Sequence, residues 1–470
     1  MIAALKPYEE YKETGLPWAP VVPKHWKTRR SKVLFRERVQ KGFPDEPLLA
    51  ATQSKGVVRK EDYGERTVTV TKDFHLLKLV EKGDFVISLR SFEGGIEISH
   101  TRGIISPAYT VLAARDEAKN SFFKHFFKSR DFIQSLTLFV TGIREGQNID
   151  YERLSRAELP LPTDQEQELI GRFLDHAHGR IDRAIRAKRK VIALLNEQMQ
   201  AIIHKAVTRG LNPDVPLKPS RISWLGDIPA HWKTLRLRFC VKGKLAYGAN
   251  EAAEFDNPDW PRYLRITDFG IDGTLKPDTF RSLPPHLAKD YPVNDGDILF
   301  ARSGATVGKA FLVRIDTANA CYAGYLIRAR PRPDVVLPEF LFAYTQSLAF
   351  TQWKDEIFSK ATIQNIGADK YSNLIVPIPK VEEQKSILAH IAVEARPIKT
   401  AIARTESEIK LLREYRTRLT ADVVTGKLDV REAAKSLPAE SPEDISGSPL
   451  DSTDLESDLA EEEELEEVEG

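Results

Sequence analysis

The chain is written twice. Pro23-Lys-His-Trp-Lys-Thr28 returns as Pro229-Ala-His-Trp-Lys-Thr234, 206 residues later. Gly83-Asp84, an apolar run and Arg90-Ser91 return as Gly296-Asp297, an apolar run and Arg302-Ser303. Gln147-Asn148-Ile149 returns as Gln364-Asn365-Ile366, Leu159-Pro-Leu-Pro162 as Val376-Pro-Ile-Pro379, and Glu166-Gln167 as Glu383-Gln384. Val207-Thr208 returns as Val424-Thr425, and the offset has by then drifted to 217 residues. The order is the same in both copies, which chance matches would not preserve. A period of this length is too long for a solenoid and fits a duplicated module.

Each copy has two parts. The first, over roughly 15–160 and again 222–377, mixes short apolar runs with Gly, Pro and Asp punctuation. Phe85-Val-Ile-Ser-Leu89, Tyr109-Thr-Val-Leu112, Asp297-Ile-Leu-Phe300 and Tyr325-Leu-Ile327 read as short strands, with helical pieces near 119–138 and 337–358. A compact mixed domain of the α/β (α+β) class is expected for each. The second part is helical by period. Asp164 can cap a helix that carries a Gln at the third position beyond it. The ladder Ile181, Ile185, Lys188, Ile192, Leu195, Met199, Ile202, Ala206 then steps by alternate fours and threes. Adding 217 gives Ile398, Ile402, Thr405, Ile409, Leu412, Arg416, Leu419 and Val423 in the same register. This is the 3.5-residue period of a coiled coil, interrupted by one Lys, one Thr and one Arg. Gly210 and Gly426 stand where such helices should end. Packing of each helix on its own domain is the alternative; the paired registers favour helix against helix. The expected boundaries are 1–162 and 211–379 for the mixed domains, 163–210 and 380–428 for the helices, and 429–470 for a tail.

The formal net charge of +1 hides a strong asymmetry. Residues 436–470 hold 14 acidic residues and no Lys or Arg, which leaves residues 1–435 at about +15. A body this basic favours a polyanionic partner. The acidic tail buries too little apolar surface to offset its ordering entropy and should be disordered. It either damps non-specific binding by mimicking nucleic-acid charge or is simply solvated. Two cysteines, Cys240 and Cys321, with no CxxC or HExxH spacing, give no sign of a zinc site. No apolar run of membrane length occurs, and a cytoplasmic chain with no membrane partner is expected.

Motifs of catalysis are missing. Ser303-Gly-Ala-Thr-Val-Gly-Lys-Ala310 resembles a phosphate loop, but only three residues separate Gly304 from Gly308 and Ala310 replaces the magnesium-binding hydroxyl. There is no GxSxG, no GxGxxG after a strand and no Asn-Pro-Pro-aromatic sequence. His25-Trp26 and His231-Trp232 recur at equivalent positions and read better as packed anchors than as ligand sites. What remains suits DNA. Arg and Lys contact phosphates or guanine edges, and Gln and Asn can pair with adenine. The candidates are Arg90, Ser91, Arg102, Arg144, Gln147 and Asn148 in the first copy. In the second they are Arg302, Ser303, Lys309, Lys360, Gln364 and Asn365. Residues kept between two readers of different sequences should be architectural or phosphate-contacting, and base readers should differ. Gln364 and Asn365 can therefore brace the domain–helix junction or touch a base.

The pattern resembles the specificity subunits of type I restriction-modification systems over about residues 10–430. The carrying residues are Trp224-Leu-Gly-Asp-Ile-Pro-Ala-His-Trp232, Gly296-Asp-Ile-Leu-Phe-Ala-Arg-Ser-Gly304 through Gly308-Lys309, and Gln364-Asn-Ile366. Val376-Pro-Ile-Pro-Lys-Val-Glu-Glu-Gln384 then leads into a long helix. The first copy departs at Phe92-Glu-Gly-Gly95, which lacks the Gly-Lys pair and puts its loop structure in doubt. The resemblance implies two tandem target-recognition domains, each reading half of a split asymmetric DNA site. The two helices would pair as an antiparallel coiled coil about a pseudo-twofold axis and set the gap between half-sites. Partners would be double-stranded DNA, two methyltransferase subunits and a motor-nuclease subunit. S-adenosylmethionine, ATP and Mg would belong to those subunits, and this chain would hold no catalytic residue, cofactor or metal. A recognition subunit of a related type II system, a single-chain methyltransferase or nuclease, and a coiled-coil adaptor are the other readings.

Overall fold

The computed structural model describes residues 5–53, 55–63, 73–116, 118–141, 148–270, 275–276, 278–304, 306–314, 319–359 and 365–438. Helix and strand are mixed, and the chain divides into two compact units. The first unit comprises residues 1–188 and 407–470, and the second comprises 189–406. Both boundaries fall inside long helices, Asp164–Arg209 and Val381–Val424, of 46 and 44 residues. At 1.5 Å per residue these are about 69 and about 66 Å long.

In the first unit a four-stranded antiparallel sheet contains β1 (Phe35–Glu37), β2 (Phe85–Ile87), β3 (Glu97–Ile98) and β4 (Thr110–Ala114), in the order β1-β4-β2-β3. The apolar run at Phe85 is buried on both faces, as a central strand covered on both sides requires. One face meets the rings of Phe35, Phe122, Phe123, Phe127 and Phe132. On the other face Val86 and Val111 meet Leu49 and Val57. The second unit repeats the order. There β5 (Ala246–Tyr247), β6 (Ile298–Ala301), β7 (Ala310–Leu312) and β8 (Leu326–Ala329) run β5-β8-β6-β7. In each unit a two-stranded ribbon ties the start of the module to the strand that precedes its long helix. The pairs are Lys27–Arg30 with Glu158–Leu161, and Lys233–Arg236 with Ile375–Ile378. The Leu-Pro-Leu-Pro and Val-Pro-Ile-Pro repeats are the second strands of these ribbons.

The repeated tryptophans are core anchors. Trp26 is fully buried and shares a cluster with Leu419, Val423 and Val424 at the end of the second long helix. Trp232 is fully buried and shares one with Ala206 and Val207 at the end of the first. Each helix ends at a left-handed glycine, Gly426 at φ +74° and Gly210 at φ +71°. A side chain at residue 426 would also bring its Cβ to 2.3 Å from Pro23, so only glycine lets the Trp26 segment lie this close.

Within the first unit the two long helices run antiparallel, because rising numbers on one meet falling numbers on the other. His178 faces Thr420, Asp182 faces Arg416 and Lys188 faces Glu408. Ile181, Ile185, Ile409, Leu419 and Val423 are buried there, and Leu412 is half-buried. In the second unit Ile398 is buried, and Ile192, Leu195, Met199, Ile202 and Ile402 are half-buried among exposed neighbours. The polar interruptions of the ladder have partners. Lys188 and Arg416 form the ion pairs just named, and the Thr405 hydroxyl donates to the Ala401 carbonyl of its own helix. Pro397, inside the second helix, cannot donate to the Val393 carbonyl one turn back, and Val393 is exposed to water.

The tail expected from residue 429 starts later than its composition suggested. Arg431–Lys435 is a short helix; Val430 just before it and Ala434 within it are fully buried in the first unit's core. Arg172 holds the chain just beyond this helix, donating to the Leu437 and Pro438 carbonyls. Residues 439–470 lie outside the described residues.

Candidate nucleic-acid interface

The repeated Glu-Gln pairs turn out to be locks at the head of each long helix. Gln167 and Gln384 are fully buried. Gln167 accepts from the Lys119 amide at 2.9 Å and donates to the Pro162 carbonyl at 3.1 Å. Gln384 accepts from the Leu337 amide at 2.8 Å and donates to the carbonyls of Val335 and Pro379 at 2.9 and 3.0 Å. Each side chain thus satisfies backbone groups on both sides of the joint, which buried polar atoms require. The glutamates hold the aromatic anchors. Glu166 accepts from the Tyr8 hydroxyl at 2.6 Å and lies 2.9 Å from His25. Glu383 accepts from the Trp232 indole at 3.0 Å and lies 2.9 Å from His231. Burial and the Glu166 bond both push the Tyr8 phenol up, so it stays protonated and donates. These kept residues are architecture.

Gly83-Asp84 and Gly296-Asp297 also do one job. Each buried aspartate closes its turn, accepting the Glu81 amide in one unit and the Asn294 amide in the other, both at 2.9 Å. Each pairs with an arginine from a different place, Arg38 just after β1 and Arg330 just after β8.

The candidate DNA contacts separate into groups. Arg90 is exposed at the end of β2. Ser91 is buried, and its hydroxyl accepts from the Ser88 amide at 2.8 Å, so it closes a turn and does not reach the surface. Arg102 is tied to Glu46 at 2.7 Å and to Glu81, over the Phe43 ring, which places it in a surface ion-pair cluster. Asn148 pairs by its backbone with Thr141. Arg144, Gln147, Lys360 and Gln364 lie outside the described residues.

In the second unit Arg302, Ser303 and Lys309 flank the turn between β6 and β7. Lys309 is exposed. Ser303 bridges to Asn365, and the Ile366 amide donates to the Arg302 carbonyl at 2.9 Å. Here Asn365-Ile366 braces the turn. The amides of Val307, Gly308 and Lys309 bond to Gly304, Ala301 and Thr306 carbonyls within the turn. They are therefore not free to cradle a phosphate.

One match made on the sequence needs correction. Arg90-Ser91 and Arg302-Ser303 are not equivalent. The apolar run before the first has five residues, Phe85–Leu89, and the run before the second has four, Ile298–Ala301. Phe85 pairs with Leu112 as Ile298 pairs with Ala329, which carries Leu89 to the position of Arg302. The difference in run length shows the one-residue slip, and strand register fixes which residues correspond.

Among the described residues no group of three His, Cys, Asp or Glu could hold a metal ion. Cys240 and Cys321 are free and buried, and burial pushes their thiols up to about 11 and about 12. Thiols that hard to ionise are poor nucleophiles. No helix among the described residues is long and apolar enough to cross a membrane.

The type I restriction modification DNA specificity domain matches residues 270–393, from the second sheet into the second long helix. The MjaVIII specificity subunit of Methanocaldococcus jannaschii is 23% identical over 367 residues, covering 75% of this chain and 81% of the relative. The same organism's putative MjaX specificity subunit is 24% identical over 465 residues, covering 92% and 100%. Over these spans the chain is similar to the specificity subunits of type I restriction enzymes. A chain from a solved type I R-M system, studied for complex assembly and conformational transition, shares the fold. It superposes at a TM-score of 0.61 with 16% identity, covering 87% of this chain and 99% of that chain.

Proposed function

We propose that this chain is the specificity subunit of a type I restriction-modification system, that it reads a bipartite, asymmetric DNA site, one half with residues 1–162 and the other with residues 211–379, and that it catalyses nothing itself. One observation carries the reading. The two units keep the locks that build the module and change the turns that face outward. Similar scaffolds with unlike surfaces are what two readers of unlike half-sites need. The heptad-spaced faces over 163–210 and 380–428 support an antiparallel coiled-coil spacer that fixes the gap between halves. Two methyltransferase subunits and a motor-nuclease subunit dock on this scaffold in a cytoplasmic complex. S-adenosylmethionine, ATP and Mg belong to those subunits.

The test is co-expression with the methyltransferase encoded beside it, followed by mapping of modified adenines. A split motif with one modified adenine in each half and a fixed gap is the expected result. A soluble complex that leaves the DNA unmodified would overturn the reading. Consumption of S-adenosylmethionine by the isolated chain would instead make it an enzyme.

A further inference from the structure

The two sheets end differently at one matched place. In the second unit Tyr247, at the end of β5, pairs with Ile327, and the Arg302 amide donates to the Tyr325 carbonyl at 3.0 Å. The same register in the first unit carries Val39, Leu89 and Ala108 to these positions. All three are exposed there, and Tyr247 and Tyr325 are 43% and 62% exposed. Tyr325 is the most exposed Phe, Tyr or Trp among the described residues. A ring this open has its face available to pack on a planar partner, and its hydroxyl can stay in water.

Arg302 is held for presentation. Its guanidinium carbon lies 5.2 Å from the Tyr247 ring centroid, and the Tyr247 hydroxyl accepts from the Ala368 amide at 3.0 Å, which fixes the ring. Among the described residues no carboxylate is paired with Arg302, in contrast to Arg102. A guanidinium stacked on an aromatic face keeps its donor edge free and planar. Beside it the Asn365 side-chain oxygen is buried with no hydrogen-bond partner among the described residues. A guanidinium over one ring and a second, open ring lie at the end of one sheet, where the matched positions of the other copy carry aliphatic side chains.

We propose that Tyr247, Arg302 and Tyr325 form the base-reading contact of the second unit, with Arg302 donating to a guanine edge and Tyr325 packing against the neighbouring base. This rests on the DNA-reading function proposed above. Arginine bidentate to guanine O6 and N7 is the specific contact that such a fork fits best. The first unit, lacking the trio, reads its half by other residues. The aromatic members add no charge, so they tune sequence preference and leave the phosphate-driven salt dependence alone.

The experiment uses the full complex with its methyltransferase and compares the methylated motifs of wild type, Tyr325→Ala, Arg302→Lys and Tyr247→Leu. Tyr325→Ala removes an exposed ring and leaves the fold intact. The expected result is relaxation at one or two positions in one half-site only. Methylation of the original half should fall by about 10- to 100-fold for Arg302→Lys, because lysine cannot bind bidentately. The sequence preference of the other half should stay unchanged. Unaltered motifs and rates in both Tyr325→Ala and Arg302→Lys would overturn the proposal while leaving the wild-type split motif, and hence the function, standing. Loss of methyltransferase binding in place of base preference would also overturn it, because the patch would then face protein. A wild-type complex with no split motif would remove the functional reading, and this inference with it.

Discussion

The two units join module to helix with opposite chemistry. In the first, His125 and Lys124 reach Asp175 on the long helix at 3.0 and 2.6 Å, and His178 lies 2.9 Å from Thr420 on the other helix. The rings of His125 and His178 meet edge to face at 5.1 Å. In the second unit the Gln384 lock puts Leu337 where Gln167 puts Lys119, so Ala343 stands for His125, with Ala392, Ala395, Met199 and Ile203 for Asp175, His178, Arg416 and Thr420. One junction is a titratable polar chain and the other is built from small and apolar side chains. The buried glutamine is the same in both. A single well-satisfied lock therefore holds the joint, and the turn below it is free to vary.

The largest expected effects concern what the units share. Trp26→Ala and Trp232→Ala should each cost about 3–5 kcal/mol, the usual range for emptying a fully buried aromatic site. Trp232→Ala should cost about 1 kcal/mol more, since its indole donates to Glu383 while the buried Trp26 indole finds no partner among the described residues. Hydrogen exchange read by mass spectrometry reports each unit separately. Equal loss of protection in both units after either substitution would show that they unfold as one and would break the comparison. Next comes a charge in the seam. Ile409→Asp, at a buried position of the first unit, should cost about 3 kcal/mol or more, and Ile192→Asp, half-buried in the second, about 1 kcal/mol. Together they should blur the spacing between half-sites. A complex that assembles with an unchanged gap would sink the spacer idea.

The polar junction should also sense acid. Burial pushes the His178 imidazole down to about 3, and it lowers His125 as well. A histidine depressed in the folded state stays neutral there while the unfolded chain takes a proton below about 6.5. Its contribution is therefore intact above pH 6.5 and is lost as pH falls toward 3, by up to about 1.4 kcal/mol per pH unit for each such group. His178→Ala copies the second unit's Ala395. It should flatten the fall in melting temperature between pH 7 and pH 5, on top of a pH-independent loss from the Thr420 bond and the ring contact it removes. An unchanged slope would mean that other groups set the acid sensitivity.

The repeat, the long helices and their inward faces were legible because each leaves a local pattern, a motif string or a 3.5-residue period. The work of those motifs was not. Gln167 reaches Lys119 across 48 positions, and nothing short-range marks a glutamine as a bridge between backbones. Ser91 looked like a surface contact because a turn that buries its own hydroxyl reads as any polar loop. Val430 and Ala434 were lost in composition, since two apolar side chains set before an acidic stretch show no period. The trio at Tyr247, Arg302 and Tyr325 could have been found by subtracting one copy from the other, but only in the strand register, from which a one-residue difference in run length shifts the motif match.

The smallest expected effect tests whether the ion pairs of the first unit matter at all. Lys188 pairs with Glu408 across the helices, with 31% and 38% of the two side chains exposed, and the repeat gives Thr405 for Lys188 and Val191 for Glu408. A pair this accessible is screened by water and salt, so Lys188→Thr should cost only about 0.2–1 kcal/mol. Its sign in salt is the sharper reading. If the pair attracts, the difference between wild type and Lys188→Thr should shrink as NaCl rises from about 0.05 to about 1 M, where the screening length falls to about 3 Å. A salt-independent difference would assign the cost to lost packing of the lysine stem over the seam, and the two helices would then be held by apolar contact in both units alike.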